Sequence, residues 1–176
     1  DARRSIDLYC NLMKETIVDA KISIKPELVE VKNTEKKPFW KEKSLHQMSE
    51  QEWESLCDGC AKCCLEKLED SETGEVSYTN IGCGLLDVDG CRCTNYANRT
   101  LYMPDCERLT PSNIAFLKWM PSTCAYKLLS EGKDLPSWHP LVSNDPESVY
   151  KAGMSIRGRA VDANEAGYFE DHIVKW

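Results

Sequence analysis

Apolar residues recur at more than one period along the chain, and the changes of period divide it. Between residues 3 and 20, Ile6, Tyr9, Met13, Ile17 and Ala20 return at steps of three or four, with Leu12 beside the stripe. That spacing predicts an amphipathic helix, suited either to packing on its own domain or to docking on a partner. Residues 21–48 lose the period. They are polar, carry Pro26, Pro38 and the lysine-rich run EKKPFWKEK, and read as a linker or extended arm whose end Phe39 and Trp40 anchor to the core. MSEQEWESLC then opens a second helix. Ser49 and Glu52 have the spacing of a reciprocal capping box, Trp53 and Leu56 share a face, and the helix delivers Cys57 at its end.

Alternation replaces the helical period further on. LEKLED and EVSYTNI flank SETG and predict a β-hairpin, and DVDG marks a second turn before CRC. Thr110-Pro111 has the cap-then-proline signature of a third helix running through SNIAFLKWM. Pro121 opens a fourth, STCAYKLLSEG, ending at Gly132, and DPESVYKAG is a short fifth with a glycine stop. MSIRGRAV reads as a strand. The pattern as a whole predicts a small irregular α+β domain with short β-hairpins and several short helices. The hairpins and the cysteine loop would form one layer, covered by the helices from residue 111 onward. Residues 1–37 form the N-terminal helix and arm, and residues 38–176 form the cysteine-bearing domain.

Composition sharpens this picture. At 176 residues with 41% hydrophobic side chains and only 3 Phe, the core is modest, and a loop-rich domain of this kind calls for a covalent or metal staple. The net charge of −7 argues against general nucleic-acid binding, leaving it conceivable only within a larger complex. Charge is uneven: residues 1–48 hold 10 Lys and Arg against 8 Asp and Glu, so the arm is mildly basic and the remainder acidic. No run approaches the ~20 apolar residues of a membrane span.

Ten cysteines are the strongest chemical signal. Cys10 stands alone, and the others fall between residues 57 and 124. CDGCAKCC places Cys57, Cys60, Cys63 and Cys64 in eight positions. Adjacent and near-adjacent thiols suit chelation better than a spread of disulfides. Evenly spaced Cys57, Cys60 and Cys63 can wrap three corners of an iron–sulfur cluster, with a remote cysteine on the fourth. Cys64 follows at once, and neighbouring side chains do not easily face one point, so it belongs elsewhere. The remote thiols are Cys83, Cys91, Cys93, Cys106 and Cys124, enough with Cys64 to complete one site and build a second. Thiolates suit zinc as well as iron; the even spacing tips the reading toward an iron–sulfur cluster.

CDGCAKCC followed by GCGLL, CRCTNY, PDCERL and STCAYKLL resembles the CxxCxxCC cysteine-cluster family, described as zinc- or iron-chelating. FWKEKSLHQMSEQEWESLCDGCAKCC and LPSWHPL resemble its bacterial branch of small cytoplasmic proteins. The resemblance covers roughly residues 38–173. It implies metal binding at Cys57, Cys60, Cys63, Cys64, Cys83, Cys93 and Cys106, while Cys91 and Cys124 match the narrower branch. The wider family's C-x-x-Y-x-x-R pattern stands here as Cys93, Tyr96 and Arg99. The ligand set expected is therefore Cys57, Cys60, Cys63, Cys64, Cys83, Cys91, Cys93 and Cys106, with the role of Cys124 open. Residues 1–37 have no counterpart in the family. They suit a protein partner in a larger assembly, in a bacterial-type cytoplasm or, alternatively, in a mitochondrial matrix or other organelle after loss of a targeting peptide.

The remaining candidates are weaker. His139 in SWHPL offers a ligand or base but reads better as a histidine packed beside Trp138 and Pro140. His46 and His172 read as surface residues. Asp87, Asp89 and Gly90 read as a turn rather than a calcium loop. Arg157 and Arg159 offer an anion site but fit a solvated face better. No Ser-His-Asp arrangement, P-loop or dinucleotide fingerprint is present, so an enzyme would need its chemistry at the cluster itself. The function expected is metal binding with a mainly structural role; the alternative is a redox or metal-handling protein with an accessible cluster.

Overall fold

A computed structural model describes residues 37–176. The helix and most of the arm expected over residues 1–36 lie outside the described residues. Elements are short throughout. α1 (Phe39–Glu42) and a 3-10 turn at Leu45–Gln47 occupy what the sequence reads as the end of the arm. They form because Phe39, Trp40 and Leu45 have a core to pack against, and Ser44 with Gln47 caps the turn reciprocally. α2 (Glu50–Ser55) starts at the expected capping box: the Ser49 hydroxyl accepts from the Glu52 amide at 3.2 Å, and the Glu52 carboxylate accepts from the Ser49 amide at 2.8 Å.

β1 (Leu65–Glu69) and β2 (Val76–Gly82) form the expected antiparallel hairpin, with Lys67 opposite Tyr78 and a register shift between Leu65 and Lys67. Asp70 closes its turn by accepting from the Glu72 and Thr73 amides. On its other edge β2 bridges to Val161 and Ile173. β3 (Leu86–Asp87) and β4 (Arg92–Cys93) form the second, minimal hairpin. Asp87 Oδ1 accepts from the Asp89 and Gly90 amides at 3.1 and 3.0 Å, so DVDG is an Asx turn. Gly90 is required there: a Cβ would sit 2.4 Å from Asp87 Oδ2. α3 (Arg99–Tyr102) follows.

Two expectations change. The helix from Thr110 reduces to a 3-10 turn at Ile114–Phe116. Its cap is present, with the Asn113 amide donating to the Thr110 hydroxyl at 3.2 Å. Beyond it the backbone bonds tighten to three residues, with the Leu117 amide donating to the Ile114 carbonyl at 3.4 Å and the Met120 amide to the Leu117 carbonyl at 3.1 Å, so the segment closes as turns. The Trp119 carbonyl accepts from the Tyr78 hydroxyl and the Met120 carbonyl from Lys127 Nζ. MSIRGRAV is a turn with a single bridge at Val161 rather than a strand; the Arg159 amide donates to the Ile156 carbonyl and coils the segment. α4 (Ala125–Ser130) ends at left-handed Gly132 as expected, with the Lys133 amide donating to the Leu128 carbonyl at 2.8 Å. α5 (Pro140–Ser143) and α6 (Ser148–Lys151) complete the helices, and a 3-10 turn spans Phe169–His172.

Side chains gather into two separate cores. The first holds Trp53, Leu56, Ile114, Met120 and Tyr126. The Trp53 and Tyr126 rings lie 4.6 Å apart, and the Tyr126 hydroxyl donates to the Trp53 carbonyl. The second holds Ala61, Leu65, Leu86, Cys91 and Ile156. The cysteine loop runs between them.

Candidate metal centre

The loop from Cys57 to Cys64 leaves α2 and turns back through two left-handed residues, Gly59 at φ 72° and Ala61 at φ 59°. Ala61 bears a Cβ, so the conformation costs energy there. Its side chain is buried in the second core, which holds it in place. Asp58 Oδ1 accepts from the Cys60 amide at 3.0 Å and fixes the first turn. A 3-10 turn at Lys62–Cys64 then hands the chain to β1.

The nine cysteines of the described residues are free thiols. Cys63 and Cys124 pack against the first core, whereas Cys64 and Cys83 pack against the second. The sulfurs of Cys63 and Cys64 touch at 3.8 Å. The Cys83 amide donates to the Cys64 carbonyl at 2.9 Å, which ties the start of β1 to the end of β2. Cys124 is the N-cap of α4. Cys91 is a buried member of the second core itself; its sulfur lies 3.2 Å from Ser155 Oγ and approaches the Val88 carbonyl at 3.7 Å.

The thiols perturb one another within each core and across the Cys63–Cys64 pair. Burial pushes the Cys57 thiol up to about 12, with Cys63, Asp58 and Cys124 adding to the rise. Cys57 is exposed as a whole residue, so it is the sulfur that has withdrawn from water. Burial likewise pushes Cys124 up to about 12, with Cys63 and Asp58 contributing. Cys60 is raised by burial and by Asp58 and Cys63. Cys63 is raised by its contact with Cys64, then by burial. Cys83 is raised by burial, and its neighbours include Cys93 and Cys106. Each of these thiols is protonated at neutral pH, so metal uptake must displace protons.

One cation offsets the charge that thiolates would bring. Lys67 Nζ donates to the Cys63 and Leu65 carbonyls at 2.9 and 2.6 Å and sits 4.7 Å over the Trp119 ring. Burial lowers its pKa, while Cys63, Cys64 and Cys83 raise it. In LEKLE, Lys67 shares a strand face with buried Leu65; the irregularity lies in the opposite strand, where Tyr78 to Gly82 span the interval from Lys67 to Leu65.

The donor set fits a thiophilic metal. Free thiols are concentrated on one loop and its neighbours. Asp58 Oδ2 is buried without a hydrogen-bond partner, beside four thiols that its charge perturbs. No three His, Cys, Asp or Glu side chains among the described residues close on one point. The thiols are gathered rather than convergent, and closing them on an ion calls for side-chain rotation that uptake itself would drive.

The other sequence candidates fall outside this region or are already engaged. His139 is 1% exposed. Its Nδ1 accepts from the Leu141 amide at 3.1 Å and its Nε2 lies 3.1 Å from the Leu56 carbonyl, which assigns the proton to Nε2. It is a packed histidine that caps α5. His46 is exposed, and His172 Nδ1 meets Asn80 Oδ1 at 2.8 Å. Arg157 pairs with Glu147 at 2.8 Å, and Arg159 donates to the Gly153 carbonyl while stacking on Trp176. Asp58, Lys67 and the grouping of Cys124 with Cys63 carry no signal in spacing alone, since each depends on which core the chain turns toward.

Comparison with known proteins identifies the arrangement. The CxxCxxCC family, described as "Putative zinc- or iron-chelating domain", matches residues 56–125. A UPF0260 protein of Granulibacter bethesdensis is 57% identical over 143 residues, covering 81% of this chain and 86% of that protein. The chain belongs to the UPF0260 family. A second UPF0260 protein, from Parvibaculum lavamentivorans, is 59% identical over 141 residues, covering 79% of this chain and 92% of its own length. A third, from Rhodopseudomonas palustris, is 58% identical over 142 residues, covering 78% of this chain and 83% of its own length. No solved structure matches. Zinc or iron chelation, as described for the CxxCxxCC domain, thus falls on the part of this UPF0260 chain that carries the thiols. Among the described residues no helix is long and apolar enough to cross a membrane.

The raised thiols give a pH prediction with two signs. In metal-free protein, thiols raised from an ordinary 9 to about 12 hold protons that the unfolded chain has released. Their stabilising effect is fully present below about pH 9 and is lost as pH climbs toward 12. Metal affinity runs the other way, rising with pH by up to tenfold per unit for each thiol proton displaced. Denaturant melts of metal-free protein and metal competition titrations between pH 6.5 and 8.5 test both. A pH-independent affinity would remove the thiols from the ligand set.

Proposed function

We propose that residues 38–176 are a metal-binding domain that holds an iron–sulfur cluster on Cys57, Cys60, Cys63 and a remote thiol, with a mainly structural role. The observation that supports this most is the position of Cys124 at the head of α4, packed with Cys63 on the first core and electrostatically coupled to Cys57 and Cys63. It supplies the remote fourth thiol that the Cys57, Cys60, Cys63 spacing leaves wanting. Lys67 offsets negative charge on the cluster, and the surrounding core excludes water. When bound, the cluster would supply cross-linking, and electron transfer if solvent or a partner reaches it. Anaerobic purification with iron, sulfide and zinc analysis and a visible spectrum tests the reading. Broad absorption near 400 nm with matched iron and sulfide is expected; colourless protein with stoichiometric zinc overturns the iron assignment, and protein that takes up neither metal overturns metal binding.

The N-terminal segment is proposed as an assembly element that engages a protein partner. Its apolar stripe and mildly basic arm stand outside the family resemblance, while the domain it precedes is acidic. Deleting residues 1–37 is expected to leave metal content and thermal stability nearly intact while weakening association with the partner. Insoluble or metal-free protein after the deletion would instead make the segment part of the fold.

A further inference from the structure

We infer that the thiols build two separate four-thiolate metal sites, Cys57, Cys60, Cys63 and Cys124 on the first core and Cys64, Cys83, Cys93 and Cys106 on the second, with Cys91 in neither. This deepens the metal-binding reading above and rests on it. The decisive geometry lies at the adjacent pair. Cys63 packs against the core of Trp53, Leu56 and Ile114, together with Cys124. Cys64 packs against the core of Leu65, Leu86 and Ile156, together with Cys83. Cys63 and Cys64 thus line different cores, and their sulfurs touch at the seam between them, at 3.8 Å.

Each set is assembled by its own framework. The first uses the end of α2, the left-handed turn at Gly59 and Ala61, and the N-terminus of α4. Asp58 lies among its four thiols, and its Oδ2 is buried and unpartnered. The second uses the hairpins. The Cys83 amide bonds the Cys64 carbonyl, Cys93 stands opposite Leu86 in the β3–β4 ladder, and the Leu86 amide donates to the Cys83 carbonyl at 2.8 Å. That chain of backbone contacts carries Cys64, Cys83 and Cys93 to one end of the sheet, and Cys106 neighbours Cys83 there. Cys91, though part of the second core, has a left-handed backbone, φ 52°, and its sulfur is engaged at 3.2 Å by Ser155 Oγ, which is what sets it outside the ligand set.

Four thiolates close the coordination of one tetrahedral ion and equally hold an iron–sulfur cluster, so each set suits the metal centre proposed above. Two such sites, one at each core, would staple two cores that are each small. The test is anaerobic titration of the full-length metal-free chain with cobalt(II) alone, reading thiolate-to-cobalt charge transfer and the d–d bands. Wild type is expected to break at two equivalents. Cys60→Ala with Cys124→Ala, and separately Cys83→Ala with Cys106→Ala, are each expected to break at one. Cys91→Ser is expected to keep two. A single break at one equivalent in wild type, which needs no variant to fold, overturns the two-site assignment. So does loss of both equivalents in a double variant whose circular dichroism retains the wild-type shape, which would mean a shared centre on Cys63 and Cys64. No cobalt uptake at all overturns the metal-binding reading beneath it.

Discussion

Stripping metal from this domain is expected to remove a large share of its stability. Among the described residues the longest α-helices have 6 residues and the longest strand has 7. Helices shorter than about 12 residues are marginal in isolation, and so are two-stranded hairpins. Regular structure therefore cannot hold the chain, and packing is split between two small cores. Thiols contribute to both: Cys63 and Cys124 line one, and Cys64 and Cys83 line the other. Without an ion those sulfurs are crowded, mutually perturbing and buried, with an unpartnered carboxylate oxygen beside them. Net stability of a domain is about 5–15 kcal/mol, and structural zinc sites contribute binding energies of about 10–16 kcal/mol that act as folding energy. Losing even about 5 kcal/mol lowers the melting temperature by roughly 10–20 °C for a chain of this size. Far-ultraviolet circular dichroism and thermal melts before and after a strong chelator, with metal analysis of both samples, measure it. An unchanged spectrum and melting temperature after demonstrated metal removal would show that the cores suffice alone.

Local rules made part of this molecule legible in its sequence. The Ser49–Glu52 capping box, the Asp70 and Asp87 turns, and the glycine stops at Gly132 and Gly153 appear where side-chain chemistry puts them. Each is decided within four or five residues, so no distant partner can override it. What failed was decided at a distance. Thr110 caps its turn as expected, but the chain beyond it closes as three-residue turns, and its end is held from across the fold by Tyr78 at the Trp119 carbonyl. Phe39 and Trp40 do anchor to the core as read, but the turn of helix that they form there, α1, was not legible. The thiol-rich loop was visible as a cluster because the donors are close in sequence. Its division was not, because Cys63 and Cys64 differ only in which core they face. Lys67 was hidden for the same reason, since nothing in the spacing says which core the face that it shares with Leu65 will meet.

The second large effect is expected at His139, where the two sequence readings, ligand and packed residue, make opposite forecasts. The ring is 1% exposed and makes a hydrogen bond through each nitrogen. Nδ1 accepts from the Leu141 amide and so caps α5; Nε2 donates to the Leu56 carbonyl at the end of α2, one residue before Cys57. Replacing it with alanine strands the buried Leu56 C=O, frees the half-buried Leu141 N–H and leaves a cavity. Each unsatisfied group costs about 1–3 kcal/mol, and the lost packing adds to that. His139→Ala is therefore expected to destabilise the holo-protein by roughly 2–4 kcal/mol and lower its melting temperature by about 5–15 °C. Its bound metal per chain should stay at the wild-type value, because no thiol is touched. His139→Gln keeps an amide N–H that can reach the Leu56 carbonyl and should recover part of the loss. Paired thermal melts and metal analysis of the two variants decide the matter. If both variants bind less metal while the metal-free proteins melt like metal-free wild type, His139 acts on the metal rather than on the packing.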